Sequence, residues 1–451
     1  MNAWSILAAV ALLWATATGI GMLLVRPLPP GAAPAGATPR ALSSCSVAGL
    51  CTLAATLPSL FVLGVPRGVL LGLAYATSLA GWFGNGAAVL RELDRRSVLT
   101  LVVALGCCGS PAVVAMTTVL MDYDALMIWW PKVKEVSDGT FPYIGAATDT
   151  HVNPAYPRGM AWLSSVANPL GPPSIQVMRM VAWLWVCTTA LLIFAASRPW
   201  MRWIEAMSLA VVFLLLPEVV HQAATGLSDT PIAAAALLAA IGLGERPSVR
   251  GYALSSIGGI GAAAIKTEGV VVLLVVMAHF AFDLLRRPEC RRRALVAIAA
   301  AGVLLPVLLR ASGEPQTRME VLPFLVRNPD VVLARTIAVL EGVLRFQFAP
   351  STFAGADGSG PVALTCWTGW VVATLLLLLL VCGRRRVVAL SPAVMLLPAA
   401  FAVYVTTGIS TKWHIATTLP RLVVEVLPTC LLAAGISVFG RSVPRSGAPM
   451  P

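Results

Sequence analysis

The chain has 451 residues, of which 58% are hydrophobic and only 12% are charged, and its mean hydropathy is +0.84. A soluble domain carries about twice this share of charged residues. These values exclude an ordinary soluble enzyme and predict an all-α membrane protein that crosses the bilayer many times. The lipid bilayer is therefore an expected partner of most of the chain.

The net charge of +12 does not indicate a nucleic-acid partner, because the basic residues lie in short clusters between apolar runs. Such clusters occur at residues 91–96, 286–293 and 384–386. Short basic loops between membrane spans are typical of the cytoplasmic side. We therefore predict no nucleic-acid binding and interpret the clusters as signals of membrane orientation.

Apolar runs recur along the whole sequence, and most are long enough to cross a bilayer as a helix. They predict about thirteen transmembrane helices separated by two long polar loops, 122–174 and 311–360. The predicted spans cover residues 3–25, 45–65, 69–90, 98–121, 175–197, 204–222, 229–244, 252–265, 269–285, 294–310, 361–382, 387–407 and 419–440.

The basic residues also predict the orientation of the chain. Residues 1–25 have no basic region at their start, whereas Arg26 and Arg40 follow them, which favours a retained first span with its N-terminus outside. In this orientation most Lys and Arg residues fall in cytoplasmic loops, and both long loops lie outside. We therefore predict a multi-pass protein of the cytoplasmic membrane whose long loops are extracytoplasmic.

The spans and loops divide the sequence into four predicted regions. Residues 1–97 form an N-terminal three-span extension, 98–310 a core with the first outer loop, 311–360 the second outer loop, and 361–451 the C-terminal spans. In the second loop, apolar residues recur at helical spacing over 328–346. This pattern predicts an amphipathic helix at the outer interface, or an ordinary helix that covers this face.

The first outer loop contains a dense group of acidic and aromatic residues. Asp122 and Asp124 lie where the fourth span ends, and Trp129, Trp130 and Lys132 follow them. Charged groups at a bilayer edge indicate a reaction or a binding site more readily than packing does. Helical residues two positions apart point to different sides of the helix. We therefore expect one aspartate to take part in the reaction and the other to have a structural role. The alternative is that both are ordinary polar residues at a helix end.

The segments DALMIWWPK and HVNPAYP of this loop resemble the first outer loop of the GT-C superfamily of polyprenyl-phosphate-sugar-dependent glycosyltransferases. This superfamily includes the protein O-mannosyltransferases and the aminoarabinose transferases of lipid A. The matching positions of its Asp-Ala-x-x-x-Trp-x-x-Lys pattern and of its Tyr-Pro pair are Asp124, Ala125, Trp129, Lys132, Tyr156 and Pro157.

The chain departs from the superfamily pattern just before the Tyr-Pro pair. Members often carry an acid there, whereas this chain has Ala155. Asp149 is then the nearest downstream candidate for a second carboxylate, and a divalent cation stays an open alternative without assigned ligands. His151 would contact sugar or cap a short helix.

Three further segments are similar to superfamily elements and follow in the expected order. TGLSDTPIA (225–233) resembles a Gly-x-x-Asp-x-Pro element and gives Asp229. IKTEG (265–269) resembles a Thr-Lys-x-Glu-Gly element and gives Lys266 and Glu268. WHIATTLPRLVVEVLP (413–428) resembles a Trp-His…Arg…Pro signature and gives His414 and Arg421. All of them fall at the same predicted membrane face.

The resemblance implies transfer of a sugar from a polyprenyl-phosphate donor to a hydroxyl of a glycan, lipid or protein acceptor. Such transfer needs a carboxylate to take the proton of the acceptor and cations to stabilise the departing phosphate. Direct displacement by the acceptor would invert the anomeric centre. The candidates are Asp124, Asp122 and Asp149 for catalysis, Lys266, Arg421 and His414 for the donor phosphate, and Trp129, Lys132, His151, Tyr156, Asp229 and Glu268 for substrate binding.

Several of these residues also have a purely structural interpretation. Lys266 and Glu268 would form an ion pair at a kinked membrane turn, and Asp229 would cap a helix. Trp129 would belong to an aromatic belt at the interface. Glu425 lies inside the last span and should face the bundle interior, with a partner that the sequence does not reveal.

Other functions compete with glycosyl transfer. A flippase or transporter of lipid-linked sugars also needs many spans, but such proteins tend to have a midplane site, whereas the polar residues here concentrate at one face. An O-antigen-ligase-type enzyme would rely on a late outer loop rich in Arg and His, and the loop 311–360 contains no His. A non-catalytic scaffold is a further alternative. The sequence has neither a Walker motif nor a dinucleotide fingerprint, which favours a lipid-linked donor over a nucleotide sugar.

Overall fold

The computed structural model describes residues 2–25, 38–87, 128–138, 157–226, 228–245, 248–311, 327–348 and 424–436, with a few positions between 99 and 116 and at 395–396. These residues are overwhelmingly helical, and they contain no strand. The predicted all-α class is confirmed for this part of the chain.

The helices are numbered here in chain order, and short π or 3-10 turns continue or connect some of them. Their bounds are α1 (Ala3–Val25), α2 (Thr38–Val62), α3 (Arg67–Gly81), α4 (Trp130–Asp138), α5 (Gly159–Ala167), α6 (Ile175–Ser197), α7 (Trp203–Leu215), α8 (Pro217–Thr225), α9 (Asp229–Gly244), α10 (Val249–Ile265), α11 (Val270–Arg286), α12 (Arg291–Ala311), α13 (Pro329–Phe348) and α14 (Val424–Ile436).

Several of these helices have the length and apolar character of membrane spans. Four qualify among the described residues, namely Ala3–Val25, Leu42–Val62, Ile175–Ser197 and Thr267–Arg286. The pair α7–α8, bent by 58°, raises the number to five if it is one broken span. The protein therefore has the architecture of a helical membrane protein, with four or five candidate spans in this part of the chain instead of about thirteen along the whole sequence. Three predicted spans lie almost entirely outside the described residues. They are 98–121, 361–382 and 387–407, of which only a few positions between 99 and 116 and residues 395–396 are described.

The predicted boundaries of 3–25, 175–197 and 229–244 agree with α1, α6 and α9. The predicted span 204–222 corresponds to two helices, α7 and α8, which are bent by 58° relative to each other. Its chain breaks at Leu216, whose backbone is extended (φ −68°, ψ 128°), and Pro217 begins the next helix. Because proline disfavours the helical conformation of the residue before it, the sequence encodes this break locally.

Much of what the sequence predicts as the first outer loop is helical and buried. Every residue of α5 is buried, and this helix packs against α1, α2, α4 and α6. Side chains of α3 hold its C-terminal end: Arg67 Nε donates to Ser165 Oγ at 3.0 Å, and the Tyr75 hydroxyl donates to the carbonyl oxygen of Val166 at 2.7 Å. This segment is therefore part of the bundle interior.

The centre of the bundle is formed by α2, α6, α9 and α10, and α1 and α3 pack beside α2. Small residues allow the closest helix contacts. A Cβ atom on Gly49 of α2 would overlap the carbonyl of Ala17 in α1, and one on Gly81 of α3 would overlap the carbonyl of Gly19. Glycine at these positions lets the helix backbones approach, as is common between membrane helices.

The helix predicted over 328–346 is confirmed as α13. Its apolar side chains Leu333 and Ile337 are 62% and 56% exposed, so they are available to lipid or to another part of the chain. Its position at the outer membrane interface stays a prediction, since it depends on the orientation of the protein in the bilayer.

Candidate functional site

A buried ion-pair network joins segments that lie far apart in the sequence. Lys266 Nζ lies 2.8 Å from Oδ1 of Asp229 and 2.9 Å from Oε1 of Glu425. Gln222 Nε2 donates to Oδ2 of Asp229 at 2.8 Å. All four side chains are almost fully buried. We call Gln222, Asp229, Lys266 and Glu425 the acidic cluster, because two carboxylates share one ammonium group.

Helix ends bring these side chains together. Asp229 is the first residue of α9, and Glu425 lies in the first described turn of α14. Lys266 follows the last residue of α10 with an extended backbone (φ −151°, ψ 152°), which separates α10 from the 3-10 turn Thr267–Gly269. The prediction that Asp229 and Lys266 reach the same end of the bundle is confirmed. The helix α14 starts at this end, and its Gly435 packs against Met201 at the other end.

The structure decides some of the structural alternatives. The N-cap residue of α9 is Ser228, so the alternative that Asp229 caps this helix is wrong. Its carboxylate is instead bound by Lys266 and Gln222. The expectation that Glu425 faces the bundle interior is confirmed, and Lys266 is a partner. Glu268 is half-buried in the adjoining 3-10 turn.

Among the described residues, a second buried group brings together two cations and one carboxylate. Lys132 of α4 and Arg158, just before α5, are 1% and 5% exposed. Oε2 of Glu135 lies 3.4 Å from Nε of Arg158. The ammonium group of Lys132 lies 5.6 Å from the ring centroid of Trp129, which is itself buried and in cation–π range. We call Lys132, Glu135 and Arg158 the basic cluster.

The environment of the basic cluster disfavours further positive charge. Burial lowers the pKa of Lys132 well below its ordinary value, the charge of Arg158 lowers it further, and Glu135 acts in the opposite direction. Burial also lowers the pKa of Arg158, and Glu135 again opposes this shift. An arginine stays charged in proteins all the same. Buried cations of this kind form charge-assisted hydrogen bonds with carboxylates and phosphates.

The two clusters lie at the same end of the bundle, and Gly159 connects them. Gly159 follows Arg158 directly, and a Cβ atom placed on it would lie 2.6 Å from the carbonyl oxygen of Ala264. Ala264 in turn lies two residues before Lys266. The N-terminal end of α5 therefore rests on the last turn of α10, between the basic and the acidic cluster.

Sequence reasoning missed three residues of these clusters: Gln222, Glu135 and Arg158. Arg158 directly follows the Tyr-Pro pair, and a charged residue next to a motif is a reason to consider it as a site residue. Glu135 lies one helical turn after Lys132, which also offered a weak signal. Gln222 offered none, because a helix end and a turn separate it from Asp229.

The structure describes only some of the predicted site residues. Among those that it describes, no three His, Cys, Asp or Glu side chains are arranged to hold a metal ion. A divalent cation at the first outer loop stays a prediction. The predicted site residues outside the described part are Asp122, Asp124, Asp149, His151, Tyr156, His414 and Arg421.

Comparison with known proteins identifies no relative: no protein-family model matches the chain, and no curated protein matches it significantly. The resemblance to the GT-C superfamily therefore rests on the four sequence segments alone. Any function of the two clusters has to be argued from their chemistry.

Proposed function

We propose that the protein is a membrane glycosyltransferase of the GT-C type, which moves a sugar from a polyprenyl-phosphate donor to a hydroxyl of a glycan, lipid or protein acceptor. The observation that supports this proposal best is the meeting of the four segments at one end of the bundle. The acidic cluster takes Asp229 from TGLSDTPIA, Lys266 from IKTEG and Glu425 from WHIATTLPRLVVEVLP, and the neighbouring basic cluster takes Lys132 from DALMIWWPK. Segments that served only as membrane spans would not need to gather their charges.

We infer that this end faces the outside of the cytoplasmic membrane and that the full chain has about thirteen spans. Support comes from the opposite end of α11, where the turn between α11 and α12 exposes an arginine cluster (residues 286, 287 and 291–293). Exposed arginines in a short loop favour the cytoplasmic side. The polar clusters would then lie where a polyprenyl-linked head group leaves the lipid.

The basic cluster suits the phosphate of the donor. It holds the cations of Lys132 and Arg158 at buried positions, and fixed cations stabilise the charge that develops on a departing phosphate. Lys266 suits this role less well than the sequence indicated, because two carboxylate oxygens already lie within 2.9 Å of its ammonium group. We therefore assign donor phosphate binding to Lys132 and Arg158, with Arg421 and His414 as further candidates.

Asp124 is the proposed catalytic base, and Asp122 and Asp149 are the alternatives to it. The base takes the proton of the acceptor hydroxyl while the hydroxyl oxygen attacks the anomeric carbon. The bond from that carbon to the phosphate oxygen breaks, and the phosphate leaves with the electron pair. This single displacement inverts the anomeric centre.

The test is transfer of radiolabelled sugar in membranes that contain the full chain, supplied with a panel of polyprenyl-phosphate sugars. The intact protein is compared with Asp124→Asn and Lys132→Met, and with Asp138→Asn as a matched control. Asp138 is exposed at the end of α4, so this variant changes the same charge outside the clusters. We expect transfer by the intact protein and the control, and a loss of at least about a hundredfold in Asp124→Asn.

Equal transfer by Asp124→Asn and the intact protein would contradict the assignment of the base. A product with the anomeric configuration of the donor would contradict inversion. Formation of no glycosidic bond with any donor of the panel, in membranes that contain folded protein, would contradict the glycosyltransferase proposal itself.

A flippase or transporter of lipid-linked sugars is the second candidate, and the helix breaks favour it. The α7–α8 pair bends by 58°, and the chain between α10 and α11 is extended at Lys266, a member of the acidic cluster. Discontinuous helices next to buried charges are common in transporters. This function predicts that labelled lipid crosses the bilayer of proteoliposomes without forming a new glycosidic bond.

A further inference from the structure

Buried polar atoms without a hydrogen-bond partner in the described structure surround the acidic cluster. Such atoms cost folding free energy unless a water, an ion or a ligand binds them. Nearly all of the side chains that carry them are at most 1% exposed. The atoms are Oε2 of Glu425, Oε1 of Gln222, and the hydroxyl oxygens of Thr429, Ser228, Thr230 and the half-buried Thr267.

Two of these oxygens belong to the acidic cluster itself, and a third lies one helical turn from it in the sequence. Glu425 binds Lys266 through Oε1, which leaves Oε2 on the same carboxylate. Thr429 follows Glu425 by one helical turn, so the two side chains share a face of α14. Gln222 binds Asp229 through its amide nitrogen, which leaves the amide oxygen for another partner. A carboxylate oxygen, a hydroxyl and an amide oxygen are thus available beside Lys266.

The charges around these oxygens favour a cation. Oε2 of Glu425 and the amide oxygen of Gln222 are acceptors, so their partner is a donor or a cation. Among the described residues, the carboxylates of Asp229 and Glu425 both contact the ammonium group of Lys266. The helix α10 ends at Ile265, beside this group, and the C-terminal end of a helix carries partial negative charge. These features favour a bound cation over a bound anion.

We propose that the acidic cluster binds a sodium ion through Oε2 of Glu425, the hydroxyl of Thr429 and the amide oxygen of Gln222. Hard cations take oxygen ligands, and interrupted helices with their C-terminal ends hold Na⁺ in membrane transporters. One carboxylate oxygen among neutral oxygens suits a monovalent ion better than a divalent one, which prefers several carboxylates. Sodium binding uses the acidic cluster, but it does not require that the protein transfers a sugar.

The test uses the purified full-length protein in detergent and measures its thermal unfolding midpoint as NaCl replaces choline chloride at constant ionic strength. A ligand that binds only the folded state raises this midpoint in a saturable way. We expect a rise of roughly 2–5 °C with Na⁺. An equal midpoint in Na⁺ and choline would overturn the proposal and would indicate that a proton or water satisfies the cluster. A rise with MgCl₂ but not with NaCl would also overturn it.

The Thr429→Val variant removes one proposed ligand without changing the size of the side chain. We expect it to raise the Na⁺ concentration at half-saturation about tenfold, which corresponds to the loss of about one ligand contact. The matched control is Thr189→Val in α6, whose buried hydroxyl is already bound to the carbonyl oxygen of Trp185 at 2.6 Å. An unchanged response in Thr429→Val, or an equal loss in the control, would contradict the assigned ligands.

Discussion

The basic and acidic clusters lie at the same end of the bundle, yet they differ in charge and in the way the chain builds them. The ion pair of the basic cluster joins residues 23 positions apart, whereas the acidic cluster joins Lys266 to Glu425 across 159 positions. In the basic cluster, the ion pair between Glu135 and Arg158 does not involve Lys132. In the acidic cluster, both carboxylates contact the same ammonium group. The acidic cluster should therefore matter more for stability, and the basic cluster more for binding.

The Lys266→Met substitution should have the largest effect on stability. It leaves two buried carboxylates without the cation that both contact, and breaking a buried ion pair in this way costs about 3–5 kcal/mol. We expect a large fall in the thermal unfolding midpoint in detergent, or loss of folded protein. The triple variant Lys266→Met/Asp229→Asn/Glu425→Gln removes all three charges and should recover much of the loss. A stable single variant would contradict the central role given to Lys266.

The Gly159→Ala substitution tests the contact between the clusters. Its Cβ atom would lie 2.6 Å from the carbonyl oxygen of Ala264 and 3.0 Å from that of Ala54, so the start of α5 would have to shift. Overpacking of this kind costs about 1–3 kcal/mol. The control is Gly72→Ala in α3, where a Cβ atom meets nothing within 4 Å and a helical alanine should gain up to about 1 kcal/mol. Equal unfolding midpoints for the two variants would contradict the close contact.

The Lys132→Met substitution should destabilise the protein least of the three, because it removes an ammonium group whose burial is unfavourable. The pKa of Lys132 is lower in the folded than in the unfolded protein, so the unfolded state binds more protons between these two values. Stability of the intact protein should therefore rise as the pH increases toward the ordinary lysine value of 10.5, and the variant should lack this rise.

The measurement for this prediction is the unfolding midpoint of both proteins across that alkaline range. Lys134→Met is the matched control, because Lys134 lies on the same helix but is exposed. A midpoint of the intact protein that falls relative to that of Lys132→Met as the pH increases would show instead that the fold stabilises the charged lysine. The Lys132→Met variant, which should destabilise the protein least, should be strongly impaired in the sugar-transfer assay.

The sequence predicted well those helices that are continuous apolar runs between polar ends. The spans 3–25 and 175–197 have this form, and both boundaries agree with the structure. The break at Pro217 was predictable from local geometry, but hydropathy over a long window hides it. The burial of α5 was not predictable, because nine mostly apolar residues are too few for a span and are easily counted with the surrounding loop.

The candidate site was predictable only where one segment carries its own signal. A charge at the end of an apolar run, as at Asp229 and Lys266, indicates the end of the bundle at which it lies. The pairing of Lys266 with Glu425 has no local pattern, since it depends on how α14 packs against α10. The basic cluster was predicted in part, through Lys132, because its members lie in or beside a recognisable motif.

The hydrogen bonds from α3 to α5 have a consequence for the order in which the chain folds during synthesis. Arg67 and Tyr75 bind the C-terminal end of α5, and both belong to segments that leave the ribosome before α5 does. The helix α10, which supports the N-terminal end of α5 at Ala264, is synthesised later. Since chains begin to fold from the N-terminus during synthesis, the contacts of α5 with α2 and α3 become available well before its contact with α10. A nascent chain halted before Val249 would lack the contact with α10, and Arg158 and Lys132 would still be short of their final surroundings.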